Sequence, residues 1–195
     1  MRASDVLREF AGKVEGPIDV NDVLAYILAG GVECDVEFVE VELNTDVLLG
    51  YIRTFDRHNA VYGDPIQCAN IYHAKDMGLD WKRLVCCKEL IHLLDGDDQR
   101  ATTSEQIHFN AERIGLPLEL QDFSADGSIT NSDRIAEFYA LGILFPLEAR
   151  AALLEPYQAG RISIEDIARL YDIPKRKAAI VMTLQWSAIH DLLCA

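Results

Sequence analysis

The chain has 195 residues, half of them hydrophobic, and a formal net charge of −14. That length supports one domain, residues 1–195, with a sizeable core, and is short for two. So acidic a surface repels phosphate backbones and anionic lipid at long range, and no apolar run of about 18 residues offers a membrane span. The N-terminal MRASDVLREF, with Asp5 and Glu9, lacks the apolar centre of a signal peptide. A cytoplasmic protein with no membrane partner is expected, and non-specific nucleic-acid binding is disfavoured. The five cysteines (Cys34, Cys68, Cys86, Cys87, Cys194) are odd in number and lack framework spacing, which reads as free thiols in a reducing compartment.

The chain opens with helical spacing. Val6, Leu7, Phe10 and Val14 share one face over Ser4–Val14, with Ser4 as the cap, and Gly16-Pro17 ends the run. Asn21 caps a second helix through Val23, Leu24, Ile27 and Leu28, stopped by Gly30-Gly31. The period then changes to two. VEFVEVEL (36–43) alternates apolar residues with glutamates, VLLGYIRTF (47–55) follows a turn at Asn44-Thr45-Asp46, and 60–72 holds a weaker strand broken at Gly63-Asp64-Pro65. Short turns between them predict a three-stranded antiparallel meander.

From Leu79 the pattern is helical to the end. Asp80 caps a helix that Gly96 can close, with Leu84, Val85, Ile91 and Leu94 on its apolar side. A helix is predicted over 104–114, a loop with a short strand near 118–123, and a helix over 133–144 capped by Asn131 or Ser132 and ended by Pro146. Helices over 148–157, 164–171 and 175–193 complete the C-terminal third. The fold class is α+β: N-terminal helices, a small antiparallel sheet, then a mostly helical remainder. Residues 20–146 hold the sheet and the motif helices, and 147–195 the closing helices.

The stretch that carries chemistry is WKRLVCCKELIHLLD (81–95). Helical positions i and i+4 lie on one face about a turn apart. Two histidines so placed can bind one zinc ion, with the glutamate after the first as base on a metal-bound water. Here Glu89 and His92 occupy two of those three places, and Lys88 stands in the first histidine's. A protonated lysine has no lone pair and cannot bind a metal. An E-x-x-H alone arises by chance in roughly one chain in five of this length, and Glu105 with His108 make a second one.

A later segment makes the first more specific. DRIAEFYALGILFP (133–146) sets an acidic residue, Asp133, ahead of Ala136, Tyr139, Ala140, Ile143, Leu144 and Pro146. With KELIH upstream, and GRISIEDIARLYDIPKRKAAIVM (160–182) as a closing helix-turn-helix-like segment, the chain resembles the ImmA/IrrE family of metallopeptidases over residues 20–182. The resemblance implies a zincin-like domain in which Glu89 is the catalytic base, and His92 and Asp133 are metal ligands. It also implies proteolytic control of transcriptional repressors in bacteria, phages and mobile elements. The chain departs from the family at Lys88, at Ile91 where glycine is usual, at Asp133 where glutamate is commoner, and in a longer 96–131 segment.

Lys88 in the ligand position predicts an ion pair with Asp133, and with Glu89, bracing two helices where a metal would stand. The reading is therefore a catalytically impaired or inactive relative that needs no cofactor and binds a protein or peptide partner, a repressor being the partner the resemblance implies. Two alternatives stay open. One is an active zinc endopeptidase with an altered ligand set using His92, Asp133 and a further donor, His108 among the candidates. The other is a DNA-binding regulator working through residues 161–182, where Lys175, Arg176 and Lys177 head a helix.

Overall fold

The structure is a computed structural model that describes residues 1–58, 64–96 and 128–195. It is α+β. Helices α1 (Ala3–Ala11) and α2 (Val20–Ala29) precede strands β1 (Asp35–Val41), β2 (Gly50–Arg57) and β3 (Ile66–Ala74). Then come α3 (Leu79–Ile91), a 3₁₀ turn (His92–Leu94), α4 (Ser128–Leu144), α5 (Leu147–Gln158), α6 (Ile164–Tyr171), α7 (Lys175–Val181) and α8 (Trp186–Cys194). Among the described residues no helix is long and apolar enough to cross a membrane. The helix predicted over 104–114 and the strand near 118–123 lie outside the described residues, as do Glu105 and His108.

The sheet is mixed, not the antiparallel meander that the turns suggest. Its order is β1-β3-β2. β2 pairs antiparallel with β3, Gly50 opposite His73 and Arg57 opposite Ile66, while β1 runs parallel to β3, Asp35 beside Cys68 and Val41 beside Ala74. The physical reason lies in charge. β3 (IQCANIYHA) carries no Asp, Glu, Lys or Arg and suits the centre, whereas β1 holds Asp35, Glu37 and Glu40, and β2 holds Arg53, Asp56 and Arg57. Charged side chains are tolerated on edge strands. The Asn44 carbonyl closes a turn onto Val47 and Leu48, within the connection 42–49 that carries the chain past β3's place to the far edge.

Ala69 and Ile71 of β3, with Val36, Phe38 and Ile52 from the edges, belong to the core under the helices. α3 crosses the sheet so closely at Gly50 that a Cβ there would lie 2.5 Å from the Tyr72 carbonyl and 2.4 Å from Val85 Cγ1. α3 is buried along most of its length, with Leu84, Val85, Cys86, Cys87, Leu90 and Ile91 inside. α4 packs beside it through Ala136, Ala140, Ile143 and Leu144, all nearly inaccessible, the two alanines allowing close approach. Arg83 of α3 ties in the periphery: Nε donates to the Asp172 carbonyl at 3.2 Å, and Nη2 to that of Ile18.

Several helix ends differ from expectation. Ser4 lies inside α1 and is buried; the Asp5 carboxylate instead accepts from the Arg2 N–H at 2.8 Å. Asp19, not Asn21, caps α2 by accepting from Asn21 N at 2.8 Å. Gly78, with no side-chain cap, precedes α3, and α3 ends at Ile91 in the 3₁₀ turn rather than running to Gly96. α4 is already helical at Ser128, so Asn131 and Ser132 are interior and Asp133 is not at its head. The helix predicted over 175–193 is two, α7 and α8. The buried Arg150 of α5 docks at the break, donating from Nε to the Val181 carbonyl (2.7 Å), from Nη2 to that of Thr183 (2.8 Å) and from Nη1 to Ser187 Oγ (3.3 Å). These bonds satisfy carbonyls that end α7.

Candidate functional site

The predicted site residues meet where α3 and the turn after it face α4. Lys88 Nζ donates to Asp133 Oδ1 at 2.7 Å and lies 3.0 Å from Glu89 Oε1. The second contact sets the ammonium against a Glu89 side chain that is nearly inaccessible. His92 Nε2 faces the same Asp133 Oδ1 at 3.5 Å. Side-chain exposure is 17% for Lys88 and Asp133, 10% for His92 and 4% for Glu89, so these charges interact largely out of water.

Two further residues complete the group, and sequence reasoning missed their role. Asp95 closes the 3₁₀ turn, and its Oδ2 lies 2.5 Å from His92 Nδ1. Ser132 Oγ donates to that same Oδ2 at 2.9 Å. The available signals were the His92-x-x-Asp95 spacing and the hydroxyl immediately before Asp133.

The electrostatics follow from this geometry. Burial disfavours the Lys88 ammonium, but the Asp133 and Glu89 carboxylates outweigh it and hold its pKa above the ordinary lysine range. Burial likewise opposes the His92 imidazolium, yet bonds to Asp133 and Asp95 raise its pKa to about 9. Burial favours the neutral acid at Asp133, but Lys88 and the His92 contact reverse this and hold its carboxyl well below the usual carboxylate range. At neutral pH Lys88 and His92 are thus cations beside the Asp133 carboxylate, with the Glu89 and Asp95 side chains against them.

The donor set decides whether zinc fits. Of the three ligand positions, one is an ammonium without a lone pair, and its Nζ sits against the carboxylate that would bind the ion. His92 directs both ring nitrogens at carboxyl groups, Nδ1 at Asp95 and Nε2 at Asp133. Among the described residues no group of three or more His, Cys, Asp or Glu side chains is placed to hold a metal ion. The described residues therefore do not fit a zinc centre. The Lys88 ammonium and the His92 ring instead lie against these carboxyl groups.

The other candidate residues stand apart. Cys86 and Cys87 pack into the core, where burial pushes the Cys86 thiol up to about 12 and Cys87 higher still. His73 is buried in β3 and His58 exposed beyond β2. In the helix-turn-helix-like segment, Ser163 caps α6 in a reciprocal pair with Asp166, and Asp172 in the left-handed conformation ends it. Tyr171 fixes the unit to the body by stacking on Phe145 at 4.5 Å and donating to the Val14 carbonyl at 2.7 Å. Of the three basic side chains that head α7, Lys175 is ion-paired with Glu165 and Lys177 with Glu137, so two are already neutralised within the chain.

Comparison with protein-family models, curated proteins and solved structures found no match to this chain.

Proposed function

We propose that the chain is a non-hydrolytic, partner-binding relative of the ImmA/IrrE-type metallopeptidases, with a zincin-like arrangement that an internal cation holds together. The observation that carries this reading is the position of Lys88 Nζ, 2.7 Å from Asp133 Oδ1 and 3.0 Å from Glu89 Oε1. The three residues named by the resemblance come together from α3 (Glu89), the turn after it (His92) and α4 (Asp133), although Lys88 and Asp133 are 45 positions apart. That convergence supports the likeness, and the ammonium at its centre removes the usual chemistry. Without a metal-bound water, Glu89 has no nucleophile to activate and serves as a counter-ion. The function left to such a scaffold is recognition of a protein or peptide, a repressor being the class the resemblance suggests.

Peptidase assays on an unstructured protein substrate, with zinc in excess, test this reading. The expected result is no zinc-dependent cleavage by the natural chain. Cleavage that disappears both on chelation and in Glu89→Gln would overturn it and favour the zinc endopeptidase with an altered ligand set.

A further inference from the structure

We infer that Asp95 and Ser132 are positioning residues that hold His92 against Asp133, so that Lys88 and His92 act as one unit joining α3 to α4. The inference rests on the metal-free reading of the site and adds two residues that neither the E-x-x-H pattern nor the Asp133 segment contains.

The geometry forms a closed circuit. Lys88 Nζ and His92 Nε2 converge on a single oxygen, Asp133 Oδ1, at 2.7 and 3.5 Å. From the other edge of the ring, Nδ1 meets Asp95 Oδ2 at 2.5 Å, and that oxygen also accepts from Ser132 Oγ at 2.9 Å. Ser132 is the neighbour of Asp133 on α4, so the path returns to the helix it left. Asp95 is itself placed by backbone geometry, its N–H donating to the His92 carbonyl at 3.3 Å in the 3₁₀ turn. A serine inside a helix commonly bonds the carbonyl one turn back or faces solvent. The buried Ser132 instead directs its hydroxyl across to Asp95. Without Asp95 the ring could turn about its side-chain torsions, and Nε2 would have no reason to face the oxygen that Lys88 also holds.

Two measurements on the full chain test this. The first is the His92 Nδ1 proton, followed by NMR with nitrogen-labelled histidine. In the natural protein it should resonate far downfield and exchange slowly with water. Asp95→Asn should move it upfield and speed its exchange, Ser132→Ala should do so less, and Ser132→Thr, which keeps the hydroxyl, should restore it. An unchanged signal in Asp95→Asn overturns the inference.

The second is a double-mutant cycle between Lys88→Met and Asp95→Asn, read as the unfolding equilibrium constant. A single unit predicts that the combined change falls short of the product of the separate changes by about threefold or more. Agreement with the product to within about twofold overturns the inference. Should Lys88→Met fail to fold, the proton signal alone decides. Zinc uptake by the natural chain at this site would refute the metal-free reading, whereas loss of the predicted signal and coupling in a chain that takes no zinc refutes only the positioning role.

Discussion

Replacing Lys88 by methionine removes the central cation while keeping a side chain of similar reach. Asp133, with 17% of its side chain exposed, and Glu89, with 4%, would then lose the ammonium between them, and Asp133 would keep its contact with His92. Removing one partner of a buried ion pair costs about 3–5 kcal/mol, because the remaining charge is left desolvated. For a domain of this size, each kcal/mol lowers Tm by roughly 2–4 °C, so the expected fall is about 6–20 °C. Urea denaturation gives the free energy directly, provided the slope is unchanged. Lys88→Met/Asp133→Asn should lie closer to the natural protein than the single variant does, because the uncompensated carboxylate is gone as well. A loss of less than about 1 kcal/mol in Lys88→Met is what an exposed pair would give, and it would refute the placement of this ammonium at the centre of the site.

Stability should also depend on pH with a sign set by the same residues. His92 ordinarily titrates at 6.5 and is raised to about 9 here, so its contribution is complete below 6.5 and is lost as pH rises through about 9. The shift corresponds to about 3 kcal/mol, and His92→Gln should flatten this alkaline limb in urea midpoints measured across pH. Asp133, whose pKa is depressed from 3.8, contributes in full above that value and ceases to do so as pH falls through its lower folded value. Arg150→Met leaves the Val181 and Thr183 carbonyls without their charged donor and should cost about 3 kcal/mol by the same denaturation assay. Alkylation of the native protein at neutral pH, mapped by mass spectrometry, should modify Cys34 and Cys194 before Cys86 and Cys87, which become reactive only on unfolding.

Local pattern reported local structure well. The spacing of Val6, Leu7 and Phe10 marked α1, and the helical run 164–171 marked α6, because each helix announces its own buried face. The pairing of Lys88 with Asp133 was legible because a lysine one turn before His92, on a helix that is otherwise largely apolar there, left a charge that needed a partner. Sheet order was not legible from turns: the connection at Asn44-Thr45-Asp46 looks like a hairpin, and only the lack of formal charge in β3 hints that it lies between the other two strands. The division of the last predicted helix depends on Arg150, some thirty positions earlier, and no local signal in 175–193 reveals it. Asp95 escaped notice for a related reason. Its role arises where a 3₁₀ turn brings it under His92 while α4 brings Ser132 from the other side, and neither half is visible in a single helical period.

The most direct test of the central claim is zinc binding to the natural chain and to Lys88→His, purified without chelator and titrated against a competing zinc indicator. Lys88→His places a second imidazole one turn before His92, facing Asp133, and should raise affinity on the order of a hundredfold with one zinc ion per chain. The natural protein should take up no zinc at this site, and its Tm should not change when a chelator is added. One zinc ion per natural chain, lost in both His92→Ala and Asp133→Ala, would contradict the account.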